Sequence, residues 1–439
     1  MPLAALQQKL TDRSALIAVV GLGHVGLPLS LAFHDAECRL LGVELDEHKV
    51  RLLQGGRSPM GHVPDDAVAR LRESGRFEVT RDATRLRAAD VIILCVPTPL
   101  GPHLEPDLSD VIRAARDVAT VLRPGQLVCL ESTTYPGTTR EVLLPLLEAT
   151  GLRCGRDFFL AYSPEREDPG RRDFTTRTTP KLVGGVDAVS GELACRMYGL
   201  AVDHVVAVRN ADVAEAAKQL ENVYRAVNVA LVNEMKVVLS ALGINIFEVI
   251  EAASTKPFGF QPFQPGPGLG GHCIPVDPFY LTWRAREAGV GAPLVELAGE
   301  VNRAMPRYVV DQTVRALNAR GKPVRDARIL VLGLAYKPDV DDVRESPSVE
   351  LMRQLGDLGA RVDYSDPHVP RVPAHAGVMA GRESVALTSE KLSAYDCVVI
   401  ATHHAAFPWQ LVADHAALII DTRNALGKVH GRRDHILLA

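Results

Sequence analysis

The sequence predicts an α/β protein with two doubly wound domains of parallel sheet joined by a central helical domain. Three observations carry this. Residues 15 to 135 alternate short apolar runs with helical stretches, the runs being ALIAVV, RLLGVEL, DVIILCVP and QLVCLEST. Runs that are apolar throughout belong to strands covered on both faces, the mark of a parallel sheet between helix layers. Residues 207 to 305 then read as long Ala/Val/Leu-rich helical text with no strand alternation, broken by a glycine-rich loop. From about residue 320 the strand–helix rhythm returns in ARILVLGLAY, ARVDYSD, DCVVIATHH and ALIIDTR. A chain of 439 residues is too long for one core, and the expected domains are 1–206, 207–305 and 306–439.

The first element to justify is the turn after the first strand. IAVVGLGHVGLPLSLAF places Gly21, Gly23 and Gly26 in a G-x-G-x-x-G pattern, with His24 and Val25 inside it. A strand precedes the pattern and a helical run follows. That is the context in which glycines bring backbone N–H groups and a helix N-terminus against a pyrophosphate. Glu44, 18 residues beyond Gly26, ends the next strand. It sits where a carboxylate accepts hydrogen bonds from the adenosine ribose and repels a 2′-phosphate. The first domain is therefore expected to be Rossmann-like and to bind NAD rather than NADP. Lys49 is open to two readings, a reach to the ribose or a phosphate, or solvated surface. The second α/β half is Rossmann-like without the glycine pattern, so it is not expected to hold a second dinucleotide. Lys337 and Arg344 in its first loop fit either an anion-binding loop or a solvated one.

The bulk numbers exclude several classes. Hydrophobic residues make up 47% and charged residues 23%, with a net charge of -4. That balance gives no electrostatic footprint for nucleic acid or an anionic membrane. No apolar run approaches the roughly 20 residues of a membrane span. The first residues, MPLAALQQKLTDRS, lack the apolar core of a secretion signal. Seven cysteines are scattered singly with no C-x-x-C, which fits a reducing, cytoplasmic compartment. Cys95 and Cys129 lie in apolar strand text and read as small buried hydrophobes.

Cys273 has different flanks. GPGLGGHCIPVDPFYL sets four glycines and a proline ahead of it and Asp277 four residues behind it. Glycines so dense are costly unless the main chain must approach something closely. A thiol near a helix N-terminus is a candidate nucleophile; a buried cysteine behind a tight turn is the other reading. His272, Cys273 and Asp277 also suggest a metal, but no second Cys/His pair lies nearby at zinc spacing, and no metal is expected. In AEAAKQLENVYRAVNVALVNE, Lys218, Asn222, Arg225 and Asn233 share one arc of a helix, opposite Leu220, Val223, Val227 and Leu231. Asparagine is a mediocre helix former, so the arc is either a polar site or the wet side of an amphipathic helix. In FFLAYSPEREDPG, Glu165 follows a strand at the edge where such sheets place ligands. NAD with a nucleophilic cysteine points to oxidation at the aldehyde level through a thioester.

The segments GLGHVGLPLS, CVPTPL, ESTTYPGTT, SPERED, KQLENVYRAVN, PGPGLGGHCIPVDPFYL, YKPDVDDVRESP and DTRN occur in that order. Together they resemble the nucleotide-sugar 6-dehydrogenases, the family of UDP-glucose and GDP-mannose dehydrogenases, over about residues 15 to 428. The details are most like the branch acting on UDP-N-acetylglucosamine, with UDP-N-acetylmannosamine, UDP-glucose and GDP-mannose as alternatives. The resemblance implies that Cys273 carries a thiohemiacetal and a thioester. It implies that Lys218, Asn222 and Asp277 orient or activate the substrate hydroxyl, the oxyanion and the hydrolytic water. Glu165 becomes an acid/base or water-positioning group, with Thr133 nearby. Val96, Pro97, Thr98, Thr133 and Arg344 are then expected near NAD. Arg166, Pro265, Gly266, Gly268, Gly270, Tyr336, Lys337 and Arg423 are expected at the UDP-sugar. A homodimer through the central helical domain is implied as well. Two departures stand out: His24 replaces the usual tyrosine, and TKPFGF lacks the arginine that UDP-glucose enzymes carry there. A nucleotide-sugar-binding protein without redox activity is the reading from another class. An epimerase is disfavoured, because no Tyr-x-x-x-Lys pair occurs in a suitable context.

Overall fold

A computed structural model describes residues 2–61, 63–166, 175–271, 274–373 and 379–439. The chain forms two compact units, Met1–Glu221 with Phe279–Val290, and Asn222–Pro278 with Gly291–Ala439.

The first unit is built on an eight-stranded sheet. Its strands are β1 (Leu16–Val20), β2 (Arg39–Val43), β3 (Phe77–Thr80), β4 (Val91–Leu94), β5 (Leu127–Leu130), β6 (Phe159–Tyr162), β7 (Lys181–Gly185) and β8 (Val205–Ala207). Their spatial order is β3-β2-β1-β4-β5-β6-β7-β8. The first six are parallel, and β7 runs antiparallel to β6. β4, β5 and β6 are buried along their whole length, as unbroken apolar runs require. The order reverses between β1 and β4. This topological switch point puts the loops after β1, β4, β5 and β6 along one edge. The segment Phe279–Val290 packs on those loops, where the Tyr280 hydroxyl donates to the Pro99 carbonyl at 3.0 Å and Arg284 pairs with Glu141 at 2.6 Å.

The second unit holds a five-stranded, all-parallel sheet of β9 (Arg328–Leu332), β10 (Arg361–Ser365), β11 (Cys397–Ile400), β12 (Ile419–Asp421) and β13 (Ile436–Leu438). The order β10-β9-β11-β12-β13 again reverses once, between β9 and β11. The loops after β9, β11 and β12 carry Tyr336–Lys337, His403–His404 and Arg423.

A 31-residue helix, Ala211–Ala241, runs across the division between the units. Lys218, Asn222 and Asn233 on it are buried, whereas Arg225 is exposed. Of the apolar arc, Leu220 and Leu231 lie 68% and 57% exposed. The polar arc is thus largely the inner one. Among the described residues no helix is long and apolar enough to cross a membrane, and Cys38, Cys95, Cys129, Cys154, Cys195 and Cys397 are unpaired.

Candidate active site

In the first unit the glycine turn closes as the spacing predicts. A Cβ on Gly26 would meet the Gly21 carbonyl oxygen at 1.9 Å, so the helix Gly26–Asp35 can start only from glycine here. Around Gly23 nothing lies within 4 Å of where a Cβ would be. The turn therefore leaves an open cradle beside a helix whose first turn contains no acidic residue, a fit for a diphosphate. Glu44 is 9% exposed. Its Oε2 accepts the Leu22 N–H at 2.9 Å and its Oε1 the Asp46 N–H at 3.0 Å. These two bonds fix the carboxylate at the end of β2, beside the turn, with lone pairs left over for a ribose. His24 and Val25 lie in the turn itself. Lys49 is half-buried on the helix Glu47–Gln54, Pro97 is exposed and Thr98 buried in the loop after β4.

The loops after β5 and β6 meet the start of the long helix. Half-buried Thr133 follows β5, and the neighbouring Ser132 hydroxyl donates to the Val96 carbonyl at 2.6 Å, tying this loop to the one after β4. Lys218 Nζ donates to the Glu165 carbonyl at 2.5 Å. Arg166 donates to the Pro180 carbonyl at 2.7 Å and pairs with Glu221 at 2.8 Å.

Beneath these residues lies a buried network that sequence reasoning missed. Lys181 Nζ is 2.7 Å from Glu131 Oε2 and 3.7 Å from Glu165 Oε2, and the Tyr198 hydroxyl donates to Glu131 Oε1. Burial opposes the Lys181 charge, but Glu131 and Glu165 outweigh it and hold the lysine protonated above its usual range. Glu215 was also missed. It accepts the Gly137 N–H at 2.6 Å, the Thr139 N–H at 2.9 Å and the Thr139 hydroxyl at 2.7 Å. Gln219, one turn on, donates to the Thr134 carbonyl at 2.9 Å. These two side chains hold the loop that carries Thr133. Burial pushes the Glu215 carboxyl up to about 7 against those hydrogen bonds.

The second unit brings together the remaining residues. Asp277, 2% exposed, opens the helix Asp277–Glu287, and the Asn222 amide donates to its Oδ2. The helix starts four residues after Cys273; His272 and Cys273 themselves lie outside the described residues. Upstream, the Gly266 N–H donates to Asn233 Oδ1 at 3.0 Å, and the Asn233 amide donates to Asn302 Oδ1 at 3.0 Å. A Cβ on Gly266 would meet an Arg423 nitrogen at 2.2 Å, and one on Gly270 would meet Tyr336 Cβ at 2.5 Å. So part of the glycine density serves packing against Arg423 and Tyr336. Pro265 is buried, as are Gly266 and Gly268. Lys337 Nζ lies 5.9 Å from the Tyr336 ring centre. Arg344 is engaged by the Asp342 carboxylate through contacts of 2.9, 3.1 and 2.6 Å. Asp339, His368 and His404 bring potential metal-ligand atoms within 4.8 Å of one another. However, His404 Nδ1 accepts the Asp339 N–H and its Nε2 faces Asp366 Oδ2 at 3.0 Å, so both ring nitrogens are engaged.

Comparison with known proteins matches the chain in three parts. Residues 15–202 match the NAD binding domain of the UDP-glucose/GDP-mannose dehydrogenase family, 212–304 its central domain and 330–428 its UDP binding domain. The chain is 36% identical to UDP-N-acetyl-D-glucosamine 6-dehydrogenase of Pseudomonas aeruginosa, over 89% of this chain and 91% of that one. It is 35% identical to UDP-N-acetyl-D-mannosamine dehydrogenase of Pyrococcus horikoshii, over 93% and 96%. A solved UDP-D-ManNAc dehydrogenase structure from Pyrococcus horikoshii superposes with a TM-score of 0.85 at 33% identity, covering 96% of this chain and 98% of that one.

Proposed function

Because this chain belongs to the UDP-glucose/GDP-mannose dehydrogenase family and is an NAD-dependent nucleotide-sugar 6-dehydrogenase, we propose that it oxidises the 6-hydroxymethyl group of UDP-N-acetyl-D-glucosamine to the carboxylate. The reaction removes four electrons and supplies a surface-polysaccharide precursor. The division 1–206, 207–305 and 306–439 assigns NAD, the catalytic loop and the UDP-sugar to the three domains in turn.

NAD, when bound, is the hydride acceptor for both oxidations. Gly21, Gly23, His24, Val25 and Gly26 would hold its diphosphate and Glu44 its ribose, and the family resemblance adds Lys49, Pro97, Thr98, Thr133 and Arg344 to its expected surroundings. The rest of the chemistry belongs to the chain. The 6-hydroxyl gives its proton to Asp277, paired with the Asn222 amide, or to Lys218, fixed against the Glu165 carbonyl, as C6 loses its first hydride and becomes the aldehyde; the same groups hold the oxygen that becomes an oxyanion. The Cys273 thiolate adds to C6 of the aldehyde and forms a C–S bond. Loss of the second hydride leaves a thioester. Water, positioned by Glu165 and Asp277, attacks it; the C–S bond breaks and returns the thiolate with the acid. Arg166, Pro265, Gly266, Gly268, Gly270, Tyr336, Lys337 and Arg423 bind the UDP-sugar.

The observation that carries this reading is the buried Asn222–Asp277 pair directly downstream of the Cys273 loop, in a chain matched throughout by the family's three domains. The sugar is the finer step. The relative of that activity from Pseudomonas aeruginosa supports the N-acetylglucosamine substrate. The relative from Pyrococcus horikoshii favours UDP-N-acetylmannosamine as the second reading. NADH formation by the purified enzyme with UDP-N-acetylglucosamine, UDP-N-acetylmannosamine, UDP-glucose and GDP-mannose tests it. We expect the first to give the highest kcat/KM, because a pocket that hydrogen-bonds an acetamido group leaves polar atoms unpaired when that group is missing. A higher value for any other sugar contradicts the assignment.

A further inference from the structure

Lys236 sits in the Val/Leu-rich stretch of the long helix and is 4% exposed. A lysine buried so far is ordinarily paired with a carboxylate. Here the contact Nζ makes is the Gly266 carbonyl at 3.5 Å, the outer limit of a hydrogen bond, with the Tyr308 ring centre 5.8 Å away. The Arg423 guanidinium lies against the same glycine, in the space a Cβ would fill, and its Nε donates to the Ala401 carbonyl at 2.9 Å. Two cations, buried Lys236 and half-buried Arg423, thus converge on Gly266.

The nearby carboxylate does not answer them. Asp421 uses its Oδ1 to accept the N–H groups of Arg423 and Ala425, and its Oδ2 to accept that of Leu426. Among the described residues no carboxylate forms an ion pair with Lys236 or Arg423. Like charges held together in a dry site are unfavourable unless an anion completes them. The place is where an open parallel sheet accepts ligands: Arg423 follows β12 beyond its C-terminal end.

We propose that Lys236 is a diphosphate-binding residue, forming with Arg423 a cation pair across Gly266 that the phosphates of a nucleoside diphosphate complete. The proposal rests on the UDP-sugar reading and adds to it a residue and a regulation by pH. Burial, followed by the Arg423 charge, pushes Lys236 down to about 7, against the opposing pull of Asp421. Arg423 falls to about 10 by burial and stays charged at neutral pH. The groups facing Lys236 are Arg423 and Asp421 from the turn after β12 and Tyr308 from the helix Pro293–Ala319. Above pH 7 the free enzyme carries a neutral Lys236, and arrival of the diphosphate restores its proton. Binding then takes up a proton, and affinity falls as pH rises.

Titration calorimetry of the full-length enzyme with UDP and with uridine, at about pH 6 and about pH 9 in buffers of different ionisation enthalpy, tests this. We expect Lys236→Met to bind UDP about tenfold or more weakly at the lower pH and to bind uridine like the wild type. The wild type should take up a proton with UDP at the higher pH. Lys236→Arg, charged throughout, should keep its UDP affinity at both pH values without proton uptake. Unliganded Lys236→Met should melt at or above the wild-type temperature, since it removes a desolvated cation. Wild-type-like UDP binding by Lys236→Met, or a wild type whose UDP affinity is the same at both pH values without proton uptake, overturns the role of Lys236 alone. A wild type that binds NAD but no UDP overturns the nucleotide reading along with it.

Discussion

Glu44 shows how much one side chain can decide. Its two oxygens each accept a backbone N–H, from Leu22 and Asp46, so its charge is held in one place beside the cofactor turn. We expect the wild type to prefer NAD, and Glu44→Ala to narrow the NAD/NADP ratio of kcat/KM by about tenfold or more, because a fixed carboxylate repels a 2′-phosphate strongly in a partly buried site. Loss of the two backbone bonds alone would weaken both cofactors equally; an unchanged ratio contradicts the account. Glu44 was legible because its distance from Gly26 is set by one helix and one strand. Lys236, Glu215 and the Lys181–Glu131 pair were not. In sequence they are a lysine in apolar helical text, a glutamate in AEAAKQ, and two charged residues 50 apart. Nothing local distinguishes them from solvated charges; only the packing of the start of the long helix on the loop after β5, of β7 beside β6, and of Gly266 and Tyr308 against Lys236 buries them.

Among elements, the central strands of both sheets were readable because full burial demands unbroken apolar runs. The edge strands β3, β8 and β13, of four, three and three residues, carry no such signal. The long helix was readable as a helix with a polar arc, but not in its orientation. Its inward side holds Lys218, Asn222 and Asn233, and its outward side exposes Tyr224, Leu231, Met235 and Val238. Tyr224, Leu231 and Val238 recur every seven residues, and Met235 falls four beyond Leu231, the spacing of a seam that packs against a second helix. A homodimer through the central helical domain, which we propose, would use this seam. Light scattering after gel filtration should give a dimer for the wild type and a monomer for Leu231→Glu combined with Val238→Glu, with NAD binding retained. A monomeric wild type, or a dimer that survives both charges, contradicts this assignment.

At the scale of the whole molecule, one glycine turn fits one dinucleotide, while a hydroxymethyl group becomes a carboxylate only by losing two hydrides. The second α/β half has no such turn, and its loops instead carry Tyr336, Lys337 and Arg423. In the proposed mechanism the cofactor is therefore exchanged between the two oxidations, and a covalent bond at Cys273 would keep the aldehyde in place meanwhile. The role proposed for Cys273 rests on its flanking glycines and Asp277 in the sequence, whereas part of the reason for those glycines, contact with Arg423 and Tyr336, needed the folded chain. The most direct measurement is the yield of NADH per UDP-sugar consumed, taken for the wild type and for Cys273→Ala. The account predicts two NADH per sugar and an acid product for the wild type, and loss of steady-state acid formation in Cys273→Ala with NAD and UDP-sugar still bound. One NADH per sugar with free aldehyde as the final product, or acid formed by Cys273→Ala at near the wild-type rate, would contradict it.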